Sequence, residues 1–266
     1  MKTLSQSAFR ELHLQDKPLK LPNAWDAGSA RQIESLGAAA IATTSAGVAW
    51  SLGYRDGNAL PVDEYVARAA SIARIISVPL SADIEGGYSD DPAQIALTVS
   101  RLIDAGIAGI NIEDGAGAPD LLCRKIAAIR ETCARKGADL YINVRTDVYV
   151  RHLAPAENKV AEVITRAQGY SNAGADGLFV LGLTDTGEMR AITDRSALLL
   201  NVAAWPGLPP LQELACAGVR RLSAGSWLPQ TLWAVNARLV SGFLDNDAMT
   251  PMFENAAPYS EINGMF

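Results

Sequence analysis

A glycine stands wherever an amphipathic run gives way to an apolar one. Gly37, Gly106, Gly137, Gly174 and Gly218 each follow a helical pattern and precede a β-rich stretch. Glycine readily adopts the left-handed conformation that ends a helix, so these read as the positions just past helix C-termini. Apolar stretches of this kind give eight strands, over 19–25, 39–45, 78–85, 107–114, 139–146, 175–182, 197–205 and 219–226. They are nearly continuous apolar runs, the mark of parallel strands covered on both faces. Helical patterns over 27–36, 62–76, 92–105, 119–136, 155–172, 186–193 and 211–217 separate most of them. Pro61, Pro92, Pro119, Pro155 and Pro209 stand near helix starts, where a missing N–H is harmless.

Eight β–α units predict one domain over 1–266, an α/β fold of the (β/α)8 TIM-barrel type. A doubly wound open sheet is the alternative, but no Gly-x-Gly-x-x-Gly follows the first strand. A short helix over 5–14, within an N-terminal cap spanning 1–18, is expected to close the bottom of the barrel. After the eighth strand an apolar helix over 230–243 carries Leu232, Trp233, Val235, Leu239, Val240 and Phe243. A polar break at Asp245-Asn246-Asp247 follows, then a tail with Met252, Phe253 and Tyr259. Apolar surface beyond a completed barrel needs a partner, so 229–266 is expected to serve oligomerisation.

Composition narrows the function. The net charge is −6 and no basic cluster is visible, so neither nucleic acid nor an anionic membrane is an expected partner. No stretch approaches the ~20 apolar residues that span a bilayer, and the first residues are not an apolar signal run. The three cysteines, Cys123, Cys133 and Cys216, are odd in number and lack metal-ligand spacing. A soluble cytoplasmic protein is expected.

Barrels place their chemistry at the C-terminal ends of the strands. Strand three delivers Asp83 and Glu85, two residues apart and so expected on one face. Strand one ends in Asn23-Ala-Trp25-Asp26, strand two in Thr43-Thr44-Ser45-Ala46-Gly47, strand four in Asn111-Ile-Glu113-Asp114 and strand five in Asn143-Val-Arg145-Thr-Asp147. Strand seven contributes Asn201 and strand eight runs from Ser223 to Ser226. Each has a bland reading: an exposed turn for Asp83 and Glu85, a helix cap for Asp114, a structural ion pair for Arg145, turn chemistry for Ser45 and Gly47. Converging on one rim, they read as a site. No lysine ends a strand, which removes a Schiff-base nucleophile. The only histidines, His13 and His152, sit in the N-terminal helix and in a loop, which argues against a Ser-His-Asp triad or a His-bound zinc. Oxygen ligands for a hard cation, plus an arginine, remain.

In this order Asn23-Ala-Trp-Asp26, Thr44-Ser-Ala-Gly-Val48, Ser81-Ala-Asp-Ile-Glu-Gly-Gly-Tyr88, Asn111-Ile-Glu-Asp114 and Asn143-Val-Arg-Thr-Asp147 resemble the isocitrate lyase/phosphoenolpyruvate mutase superfamily, over about 21–226. The resemblance implies an Mg²⁺-dependent barrel enzyme, a lyase or phosphonomutase. It would act on a small 2-oxo acid, or a phosphonate or carboxylate derivative, through an enolate, breaking a C–C or P–C bond. It also implies exchange of the last helix between subunits, giving a homotetramer built as a dimer of helix-swapped dimers. Carried over residue by residue, Ser45, Ala46 and Gly47 would hold the substrate's carboxylate or phosphonate, with Trp25 and Asn201 also lining it. Asp83 and Glu113 would serve the metal, Arg145 would bind the oxyanion, and Asp56, in Tyr54-Arg-Asp-Gly57, would act near the reacting centre.

Two departures stand out. The family's Asp-x-Asp has Ser81 in place of its first acid, with Glu85 as an extra acid that is expected to join the metal set. The Cys-Gly-His loop of the family's C–C lyases is replaced by the neutral run 115–118, a loop able to open and close, and Cys123 is expected on the following helix. Two other readings stay open: a 2-oxo-acid-binding barrel with little turnover, and a phosphate-substrate barrel enzyme using Ala224-Gly225-Ser226 as a grip.

Overall fold

In the computed structural model, which describes residues 6–246, 249–254 and 256–266, the strands form one parallel sheet wound into a barrel. Ser5 of the expected first helix and Asp247 of the expected polar break lie outside those residues. The strands are β1 (Leu19–Leu21), β2 (Asn23–Ala24), β3 (Ile41–Thr43), β4 (Leu80–Asp83), β5 (Gly109–Glu113), β6 (Tyr141–Thr146), β7 (Gly177–Val180), β8 (Leu199–Ala203) and β9 (Val219–Ser223). Nine segments do the work of eight because Pro22 breaks the first strand. β1 pairs with β9 and β2 pairs with β3, so the two ends of the sheet are halves of one strand. Proline has no N–H for the ladder, yet its carbonyl still accepts from Ala42 N at 3.1 Å.

The helices are α1 (Gln6–Leu12), α2 (Ala27–Ser35), α3 (Ser45–Ser51), α4 (Val62–Ile75), α5 (Pro92–Asp104), α6 (Pro119–Lys136), α7 (Lys159–Ala173), α8 (Thr186–Thr193), α9 (Leu211–Cys216), α10 (Trp227–Asn246), α11 (Thr250–Glu254) and α12 (Tyr259–Asn263). None among the described residues is long and apolar enough to cross a membrane. The strands bury Ile41, Leu80, Ile110, Ile112, Ile142, Val144, Leu178 and Val202 in one core with the inner faces of the helices. Helix α3 is not anticipated by the sequence reading, which ends strand two at Ser45; Ser45 instead opens the helix.

Helix α1 closes the N-terminal end of the barrel. Its Phe9 packs with Leu19, Ala40, Ala108 and Tyr141. A Cβ on Gly109 would lie 2.6 Å from the Phe9 ring, so this strand position has to be glycine for the plug to seat. Arg10 ties the helix down through ion pairs with Asp139 and Asp176, both at 2.7 Å.

At the other end of the chain α10 stands largely in solvent. Leu232 is 51% exposed, Trp233 61% and Leu244 71%, and among the described residues of this helix only Pro229 is buried. The last residues return to α2, where Arg31 Nε donates to the Met265 carbonyl at 2.6 Å.

Candidate active site

Strand register sets the site. Asp83 on β4 lies opposite Asn111 on β5, and Glu113 on β5 opposite Arg145 on β6. Parallel pairing therefore brings Asp83, Glu113 and Arg145 to one mouth. Arg145 is held as a fork: Nη1 lies 2.8 Å from Glu113 Oε2, while Nε and Nη2 donate to the two carboxylate oxygens of Asp147 at 2.7 and 3.0 Å. Asp147 is fully buried and also accepts from Arg151 Nε at 2.8 Å. Asp83 receives its own support from β3, since its N–H donates to Thr43 Oγ1 at 2.8 Å.

The mouth gathers Asp83, Glu113 and Asp147 around the Arg145 guanidinium, and among the described residues Arg151 pairs only with Asp147. Burial pushes the Asp83 carboxyl above its usual range, against the pull of Arg145. Burial likewise raises Glu113 to about 8; Arg145 opposes the shift, while Asp83, Asp147 and Glu85 add to it. Burial works against the charge on Arg145, but Glu113, Asp147 and Asp83 outweigh it and hold its pKa above the ordinary value. Like charges crowded in a low dielectric are unfavourable unless a counter-charge joins them. Among the described residues no three His, Cys, Asp or Glu side chains already converge as a metal cage. The donors present are all oxygen, which fits a hard divalent cation keeping some of its waters.

Glu85 departs from expectation. β4 ends at Asp83, and Glu85 has φ +52°, so the rule that i and i+2 share a strand face does not reach it. Its buried carboxylate turns to the loop after α3, where it accepts the Asn58 N–H. Asp56 lies exposed in that loop, close enough for its charge to add to the upward shifts of Asp83 and Glu85.

The candidate substrate residues fall into two groups. Ser45, Ala46 and Gly47 form the first turn of α3 at the mouth, with Ser45 N 3.5 Å from Asp83 Oδ2. A Cβ on Gly47 would lie 2.9 Å from the half-buried Trp25 side chain and 3.1 Å from Pro229, so packing alone demands glycine there. Asn201, by contrast, is fully buried with both ends engaged: its Oδ1 accepts from Asn143 at 2.9 Å and its Nδ2 donates to the Val202 and Arg221 carbonyls. It belongs to an interior asparagine layer with Asn111 and Asn143, beneath the mouth. A cleft of about 520 Å³ opens beside Glu113, with the 115–118 loop on its rim and Lys125 and Arg151 on its walls.

Asp114 and Lys125 take roles that the sequence reading does not give them, whereas Cys123 falls on a helix as expected. Asp114 is a buried hub, accepting from Thr146 Oγ1, Asp147 N, Arg166 and Tyr170 Oη at 2.7–3.0 Å. It caps no helix, because the N-cap of α6 is Ala118. Lys125 is 5% exposed, and its ammonium donates to the Gly86 carbonyl at 2.9 Å and to Asp90 at 3.0 Å. Cys123 lies on α6, half-buried, with burial raising its pKa.

The model of the phosphoenolpyruvate phosphomutase family matches residues 9–244. The chain belongs to this family. It is therefore an enzyme of the phosphoenolpyruvate mutase/isocitrate lyase superfamily of lyases and mutases. An uncharacterized protein of Mycobacterium tuberculosis (strain ATCC 25618 / H37Rv) is 35% identical over 260 residues, 96% of this chain and 94% of that protein. The oxaloacetate decarboxylase of Pseudomonas entomophila (strain L48) is 32% identical over 228 residues, 80% of this chain and 75% of the decarboxylase. Among solved structures, a candidate phosphonomutase from Burkholderia cenocepacia J2315 is 38% identical with a TM-score of 0.84, covering 89% of this chain and 99% of that one.

Proposed function

We propose that the protein is an Mg²⁺-dependent lyase or mutase acting on a small 2-oxo acid, or its phosphonate or carboxylate derivative, by way of an enolate. The observation that carries this reading is the gathering of Asp83, Glu113 and Arg145 at one mouth, with both acids shifted towards protonation, chiefly by burial and against the pull of Arg145. Asp83 and Glu113 would hold the cation, partly through waters. Bound there, it supplies Lewis-acid charge to the substrate's oxygens.

The chain's own groups do the rest. Arg145 donates two of its five N–H bonds to Asp147 and faces Glu113 as an ion pair through Nη1, which leaves N–H groups on its terminal nitrogens for a substrate oxyanion. Because the fork is fixed before substrate arrives, its charge needs no reorganisation as the enolate forms. The Ser45–Gly47 backbone would grip the substrate's carboxylate or phosphonate beside the ring of Trp25. Asp56 would exchange a proton with the reacting carbon. The relatives' names span decarboxylation, C–C cleavage and phosphoryl migration, and all three are served by one enolate-stabilising site.

Turnover of oxaloacetate, 2-methylisocitrate and phosphoenolpyruvate, with Mg²⁺ and after chelation, tests the reading. Asp83→Ala should lower Mg²⁺-dependent turnover by at least ~10²-fold with the barrel intact. Full activity in that variant would remove the site from the reaction.

We further propose that α10 is exchanged between subunits in a dimer of dimers. Among the described residues its Leu232, Trp233 and Leu244 are left more than half exposed. A groove of about 640 Å³ lies along β1 and β9, walled by Leu19, Leu21, Ile33, Leu36 and Leu222. The partner's α10 is the apolar element that matches it. Trp233→Glu should convert a tetramer, measured by light scattering, into smaller species; an unchanged tetramer would argue against exchange.

A further inference from the structure

Two loops at the mouth hold each other in conformations that neither would choose alone. In the loop after β4, Glu85 and Tyr88 have φ of +52° and +58°; in the loop after α3, Asn58 has φ of +59°. Such values are uncommon for residues with a side chain, and they persist only where surrounding contacts over-determine them. The contacts here are reciprocal. The Glu85 carboxylate accepts the N–H of Asn58, and Asn58 Oδ1 accepts the Tyr88 N–H at 3.3 Å.

The two sides differ in how firmly they are anchored. The β4 loop is fixed from behind: Lys125 on α6 holds the Gly86 carbonyl and Asp90, and the Glu85 carbonyl accepts from Glu113 N at 3.0 Å. Gly53, Arg55, Asp56 and Gly57 are exposed. Tyr54 is anchored separately, packing on the core and donating to Glu64 on α4 at 2.7 Å; beyond it, the bonds to Glu85 and Tyr88 join the exposed segment to the barrel mouth.

We propose that Glu85 is a positioning residue, the latch that holds the 54–58 loop, and with it Asp56, against the mouth, and not a member of the cation's donor set. The proposal rests on the functional reading above only in giving Asp56 a task. Charge on Glu85 serves the latch because a carboxylate accepts a backbone N–H more strongly than a neutral amide does. Sharing this acid with a cation would release the loop.

The test combines trypsin with Mg²⁺ titration. Cleavage after Arg55, read by mass spectrometry, reports opening of the loop, since native-state proteolysis tracks the open population. Four proteins are compared: wild type, Glu85→Ala, Glu85→Gln and Asp83→Asn, each checked for barrel fold by circular dichroism. Glu85→Ala should be cut at Arg55 at least ~10-fold faster, the loss of a charge-assisted bond. Glu85→Gln, which keeps an acceptor, should recover most of the protection and bind Mg²⁺ within about threefold of wild type. Asp83→Asn should lose Mg²⁺ affinity and keep wild-type protection at Arg55. Wild-type cleavage in Glu85→Ala, or a loss of Mg²⁺ affinity in Glu85→Gln as large as in Asp83→Asn, would overturn the latch. Should wild type bind no Mg²⁺, the functional reading falls, and the cleavage rates still decide the latch.

Discussion

The mouth and the floor of this barrel both bury charge, and they handle it in opposite ways. At the mouth Asp83, Glu113, Arg145 and Asp147 share one cluster, and burial raises Asp83 and Glu113. At the floor burial, with Arg221 and Arg10 nearby, lowers His13 to about 3, and burial lowers Arg221 to about 10. Arg221 is 1% exposed and donates to Asn111 Oδ1 at 3.0 Å, yet no carboxylate forms an ion pair with it among the described residues. His13 stacks on Tyr141 with centroids 4.1 Å apart, and its Nδ1 donates to the Phe9 carbonyl. The mouth is an arrangement of interdependent charges with an incomplete balance, suited to taking up a cation and an anionic substrate. The floor is a sealed packing problem, where charge is tolerated and not used.

That contrast can be broken most severely at Arg145. Replacing it with Met strands Glu113 and leaves Asp147 with Arg151 alone, and stability should drop by ~3 kcal/mol, the low end for a broken buried pair because Glu113 can take up a proton. Thermal or urea unfolding measures it, and a neutral outcome would mean that the mouth charges are not interdependent. The floor predicts an acid response next. Folded His13 stays neutral down to about 3, whereas the unfolded chain's histidine protonates near 6.5. Between those values acid favours the unfolded chain, so stability falls as pH drops, by ~1.4 kcal/mol per pH unit for one proton. In His13→Phe the acid limb of the stability curve should flatten by that slope; an unchanged slope would place the lability elsewhere. The smallest effect belongs to Arg221→Met. An unpaired buried guanidinium replaced by an apolar chain of similar length should change stability by less than ~1 kcal/mol, or raise it. A loss as large as that of the Arg145 variant would erase the distinction between mouth and floor.

Much of the barrel is legible because its signals are local. Apolar strands, C-terminal glycines and N-terminal prolines lie within a few residues of what they control, and the strand-end acids and arginine follow from them. What escapes the sequence depends on backbone sign or on distant partners. Glu85 looks like a strand-face companion of Asp83 until its left-handed φ turns it towards Asn58. Asp114 reads as a helix cap because Arg166 and Tyr170, which bind it, lie on α7 far along the chain. Asn201 is grouped with the strand-end residues of the rim in the sequence reading, yet it lies mid-strand in the asparagine layer inside. Arg221 alternates with half-buried positions on β9, and only the closed barrel shows that its side is the enclosed one.

The most direct measurement is a calorimetric Mg²⁺ titration of the wild-type protein beside Asp83→Asn, both with and without oxalate as a mimic of the enolate. Saturable binding in the wild type, weakened at least ~10-fold in the variant and strengthened by oxalate only where Asp83 is intact, is the predicted result. Equal Mg²⁺ affinity in the two proteins would contradict it.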